Sequence, residues 1–147
     1  MLRFIPEDYG FFSEPQLFIE FDSEKQKFHI GDYGSKVVDK VSPGVYAWTV
    51  KEGDEIFPLY IGLYGARAEN PSLRKRFEQH KNGLRGSLQG KAPTPHWENK
   101  LFPEAMKILE HDGKKIEIYF GMFAKNEIAE LEIRLINKFD TPWNAQR

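Results

Sequence analysis

One stripe of residues near the C-terminal end constrains this chain most. Ile128, Leu131, Leu135, Ile136 and Phe139 recur at the three-and-four spacing of a helical face. Such a stripe commits the segment to an amphipathic helix that must be buried against another layer. At ~100° per residue, Glu132 falls inside the same arc, while Glu130 points the opposite way. A carboxylate aimed into an apolar stripe is costly unless something pairs with it. A metal ion, an arginine or a hydrogen-bond network could each serve.

The 147 residues fit one domain with a terminal appendage. The absence of cysteine excludes disulfides and cysteine metal sites. No apolar run approaches the ~20 residues of a membrane span. The start, Met1-Leu2-Arg3-Phe4-Ile5-Pro6-Glu7-Asp8, does not read as a signal peptide, so a cytoplasmic protein with no membrane partner is expected. A net charge of −1 does not announce a nucleic-acid binder, but the charge is unevenly placed. Residues 1–40 lean acidic through Glu7, Asp8, Glu14, Glu20, Asp22, Glu24, Asp32 and Asp39. The middle leans basic, with Arg67, Arg74, Lys75, Arg76, Lys81, Arg85 and Lys91 against Glu69 and Glu78. A basic cluster is usually a solvated helix face; the sharper reading is a phosphate-facing patch.

In chain order, Gln16 to Phe21 and Lys27 to Ile30 read as strands with a turn at Asp22-Ser23-Glu24. They carry no evident chemistry and are expected to cover a sheet edge or an interface. Val45-Tyr46-Ala47-Trp48-Thr49-Val50 and Phe57-Pro58-Leu59-Tyr60-Ile61-Gly62 flank Gly53-Asp54, which predicts an antiparallel hairpin. Alternation then puts Tyr46 and Trp48, and Tyr60 and Gly62, on shared faces. Asn70-Pro71 opens a helix whose buried side carries Leu73, Phe77, His80 and Leu84, with Arg76 at its edge. A long loop from Gly83 to Pro95 follows. Phe102, Ala105, Met106 and Leu109 predict a second helix stopped at Asp112-Gly113. Ile116 to Phe120 alternates as a third strand, and Asn126 is placed to cap the last helix. The expectation is an α/β (α+β) domain over residues 43–147, a small three-stranded mixed or antiparallel sheet flanked by helices in the order β-β-α-α-β-α. Residues 1–42 form an N-terminal extension. Singly, each polar candidate favours a structural role, and Trp48, Trp97, His29, His96 and His111 are read as packing or surface residues.

Together, these residues resemble the GIY-YIG endonuclease superfamily. Gly44-Val45-Tyr46 and Tyr60-Ile61-Gly62 resemble the two name-giving motifs. Arg76 with His80 four residues on resembles the next, and the histidine at that offset favours Arg76 over Arg74. Glu132, followed twelve residues later by Asn144, resembles the last two. Two departures are a valine at position 45 and a long gap from Tyr60 to Arg76. The resemblance implies a DNA endonuclease that holds one divalent ion, Mg²⁺ (or Mn²⁺), on the single carboxylate Glu132. It implies Arg76 on the scissile phosphate and a tyrosine as general base, Tyr46 favoured with Tyr60 supporting, though the sequence does not separate them. His80 would orient a tyrosine or phosphate, and Asn144 would hydrogen-bond within the site. Arg74, Lys75, Lys81, Arg85 and Lys91 are the candidate DNA-binding residues. The chain would act as a monomer or homodimer. A non-catalytic nucleic-acid-binding or regulatory module on the same fold is the alternative.

Overall fold

A computed structural model describes residues 2–34, 43–64 and 104–144. The β-rich runs either side of Gly53-Asp54 form a hairpin, β3 (Gly44–Glu52) and β4 (Glu55–Tyr64). Its two-residue loop needs a left-handed residue, which Gly53 supplies at φ 62°. Pro58 lacks an N–H and is tolerated because β4 is an edge strand. The register shifts beside it, pairing Trp48 with Tyr60 but Thr49 with Pro58, so Leu59 is the extra residue of a β-bulge.

β5 (Ile116–Met122) pairs with the other side of β3. The N-terminal strands, β1 (Leu17–Asp22) and β2 (Lys27–Asp32), form a second hairpin. In its loop, Asp22 Oδ1 accepts the N–H groups of Glu24 at 3.0 Å and Lys25 at 3.2 Å. β1 then pairs with β5. The result is a five-stranded sheet, order β2-β1-β5-β3-β4, antiparallel at every described pairing.

This overturns the three-stranded sheet and the β-β-α-α-β-α layout. The reason lies at β5, which would otherwise present an unpaired edge. Leu17 and Ile19 stand opposite Ile118 and Ile116, so pairing there satisfies backbone groups and extends one apolar face at once. Helix is scarce among the described residues. It comprises a 3₁₀ turn at Pro6–Tyr9, residues 104–106 running into a π-helical turn at Lys107–His111, and α1 (Ile128–Phe139). The second expected helix is this short segment, which stops at Asp112 and Gly113, the glycine at φ 64°. The helix expected from Asn70 onward lies outside the described residues. Glu127, not Asn126, holds the position before α1 and makes no side-chain cap. No helix among the described residues is long and apolar enough to cross a membrane.

The sheet separates two cores. On one face Leu17, Ile19, Tyr46, Trp48, Ile118 and Phe120 pack with Ala105 and Leu109 of the short helical segment. On the other, Val45, Ala47, Ile61 and Tyr119 pack with Ile128, Leu135 and Phe139 of α1. Phe4 and Phe11 complete that second core, and the Phe4 N–H donates to the Ile56 carbonyl at 2.7 Å. The N-terminal residues are therefore part of the core.

Candidate functional site

The hairpin register gives the two tyrosine motifs a shared physical purpose. Tyr46 stands directly opposite Gly62, and Trp48 opposite Tyr60. Cross-strand partners share a face, so Tyr46, Trp48, Tyr60 and Gly62 lie together. The Tyr46 ring leans across the edge strand over Gly62. A β-carbon at position 62 would collide with Cζ, Cε2 and Oη of Tyr46. A tyrosine on one strand thus demands a glycine on the next. Tyr46 is 1% exposed, whereas Tyr60 is half-buried. Their ring centroids are 6.2 Å apart, and Tyr60 also meets Trp48 edge-on at 6.0 Å. The bulge at Leu59 lies immediately before Tyr60, where it sets the direction of that side chain.

Glu132 is 2% exposed and Glu130 is exposed, as the helical phase requires. The apolar residues of α1 that flank Glu132 pack on the face opposite the tyrosines, over β3 and β4. The chain links the two layers around the β4 edge. Asp140 turns out of α1 in a left-handed conformation at φ 48°. The Trp143 N–H then donates to the Leu59 carbonyl at 2.9 Å, and its ring meets Trp48 on the tyrosine face at 6.3 Å. Asn144 acts as a substitute strand neighbour. Its Oδ1 accepts the Ile61 N–H at 2.9 Å, and its Nδ2 donates to the Ile61 carbonyl at 2.8 Å. The Thr141 hydroxyl donates to the same Oδ1. Two outward backbone groups of the buried β4 edge are thereby satisfied.

Arg76, His80, Arg74, Lys75, Lys81, Arg85 and Lys91 lie outside the described residues. Among the described residues, no group of three or more histidines, aspartates and glutamates could hold a metal ion. Glu132 is a buried carboxylate, the donor type that a hard divalent cation takes. Two other tyrosines are poor proton acceptors. Burial, then the Glu117 carboxylate, pushes Tyr119 up to about 12. Burial and a 2.7 Å hydrogen bond to Glu117 raise Tyr33 further. Sequence reading missed Thr141 and the Leu59 bulge. The available signals were a threonine three residues before Asn144 and a proline inside an otherwise regular strand.

Neither a family model nor a curated protein matches the sequence. Solved structures do match the fold. One is a mutant of bacteriophage T4 EndoII, with TM-score 0.58 and 20% identity, covering 96% of each chain. Another is the restriction endonuclease HPY188I in complex with product DNA, with TM-score 0.52 and 15% identity, covering 95% of this chain and 82% of that one. The chain shares its fold with these two solved structures. At these identities the likeness concerns architecture.

Proposed function

We propose that this chain is a divalent-metal-dependent endonuclease of the GIY-YIG type that hydrolyses phosphodiester bonds of DNA. The observation that carries the reading is the Tyr46 ring seated over Gly62 with Tyr60 beside it. That arrangement gives the spacing of both tripeptides a steric cause, within a fold shared with two endonucleases. The active centre would sit at the β4 edge, where the tyrosine face and the α1 layer are joined by residues 140–144.

Cleavage needs an activated water, neutralised charge on the phosphoryl oxygens and help for the leaving oxygen. Tyr46, as the phenolate, would accept the proton of the attacking water, its ionisation favoured by the positive charge of Arg76, His80 or the metal, with Tyr60 supporting. Arg76 would grip the scissile phosphate in bidentate fashion, and His80 would orient a tyrosine or phosphate. Glu132 would hold Mg²⁺ or Mn²⁺, which when bound supplies charge neutralisation and a more acidic water. Asn144 would contribute by fixing Ile61 and hence the strand that bears Tyr60. Arg74, Lys75, Lys81, Arg85 and Lys91 would add salt-dependent affinity for the duplex.

The test is incubation with plasmid, branched, single-stranded and RNA substrates, with Mg²⁺, with Mn²⁺ and with chelator. Metal-dependent cutting of DNA is expected. Tight DNA binding with no cutting under any of these conditions would make the chain a binding module instead. No binding and no cutting would refute both readings.

A further inference from the structure

We propose that Thr141 is a positioning residue of this site, acting through Asn144 on the backbone that carries Tyr60. The inference rests on the nuclease reading for its effect on turnover, but the clamp itself stands on geometry. Thr141 is 6% exposed, directly after the left-handed turn that ends α1. Its hydroxyl donates to Asn144 Oδ1, which also accepts the Ile61 N–H. The other half of the amide donates to the Ile61 carbonyl. An amide so engaged has one orientation, because a reversed amide would set Nδ2 against the Ile61 N–H.

The consequence reaches Tyr60 from both sides. Leu59, just before it, gives its carbonyl to Trp143, and Ile61, just after it, gives both backbone groups to Asn144. Tyr60 is therefore held by its neighbours at an edge strand that also carries a bulge. Edge strands and bulges are where backbone position is otherwise least determined. Without the Thr141 hydroxyl, Asn144 Oδ1 keeps one of its two donors, and the segment 141–144 is less firmly tied to β4. Small displacements of a reacting group are expensive in rate, whereas a hydroxyl spent on Asn144 Oδ1 offers no proton to a phosphate, so its loss should leave substrate affinity alone.

Thr141→Val keeps the shape and removes the hydroxyl, and Thr141→Ser keeps the hydroxyl. The valine variant should lower kcat about 10-fold with KM for a DNA duplex unchanged within about twofold. The Ile61 amide should exchange about 10-fold faster with solvent by NMR. The serine variant should restore both readouts. Should the valine variant not fold, Thr141→Ala replaces it, since alanine also removes the hydroxyl that holds Asn144 Oδ1; the same kcat loss and faster exchange are expected. Unchanged kcat in the variant that folds, a loss confined to KM, or a serine variant as poor as valine would each overturn the proposal. A wild-type chain inert on every substrate would instead overturn the nuclease reading and the catalytic part of this proposal. The Ile61 exchange rates would then decide the clamp alone.

Discussion

Gly62→Ala is the sharpest test of the site geometry, because its cost has a single source. Gly62 is not among the described glycines with positive φ, so alanine meets no backbone penalty there. What it meets is the Tyr46 ring, at Cζ, Cε2 and Oη. The ring is 1% exposed and packed in a core with Trp48 and Phe120, so it has nowhere to swing freely. Overpacking of this kind typically costs ~1–3 kcal/mol. For a chain of this size that corresponds to a Tm lowered by about 3–10 °C. Tyr46→Phe should give no relief, since two of the three colliding atoms are ring carbons. Tyr46→Leu should give relief, at its own cost for the space left behind. A double-mutant cycle by urea denaturation should therefore show a favourable coupling of about 1–2 kcal/mol between Gly62→Ala and Tyr46→Leu, and none with Tyr46→Phe. Turnover of Gly62→Ala should fall up to ~10²-fold through misplacement of the Tyr46 hydroxyl. A Gly62→Ala protein as stable as wild type, or one whose loss is additive with Tyr46→Leu, would refute the packing argument.

Glu132→Gln should abolish Mg²⁺-dependent cleavage while retaining most DNA affinity, and Glu130→Gln should change little because Glu130 is exposed; equal behaviour of the two variants in a plasmid-nicking assay would contradict the assignment. Tyr46→Phe should slow cleavage by ~10²–10⁴-fold as loss of a general base, and Tyr60→Phe by less; single-turnover rates in the reverse order would give the base role to Tyr60, the more exposed of the pair. Tyr119, pushed up to about 12 by burial and then by Glu117, binds its proton more tightly folded than unfolded. Stability should fall as pH rises from about 10 to 12, and Tyr119→Phe should flatten that part of a stability-against-pH curve measured by denaturation.

What could be read in the sequence was local. The α1 stripe and the inward phase of Glu132 depend on residues three and four apart, and helical geometry fixes their relation whatever the rest of the chain does. The hairpin at Gly53-Asp54 was local too, but its two-residue loop alone would pair Tyr46 with Ile61 and set Tyr60 on the other face; the Leu59 bulge is what brings Tyr46 and Tyr60 to one face. Asn126 is the local signal that failed, because α1 starts after a turn that places Glu127 at its head. The tertiary structure alone decided the rest. Amphipathicity states that Ile128, Leu135 and Phe139 must be buried, but either face of a sheet would bury them; packing with Val45, Ala47 and Ile61 puts them opposite the tyrosines. The β1–β5 pairing, which made the sheet five strands wide, joins residues a hundred positions apart through backbone groups that every sequence possesses. The Asn144 clamp on Ile61 is of the same kind. An edge strand leaves its outward N–H and C=O unsatisfied regardless of side chains, and only the path of the chain after α1 determines which residue arrives to meet them.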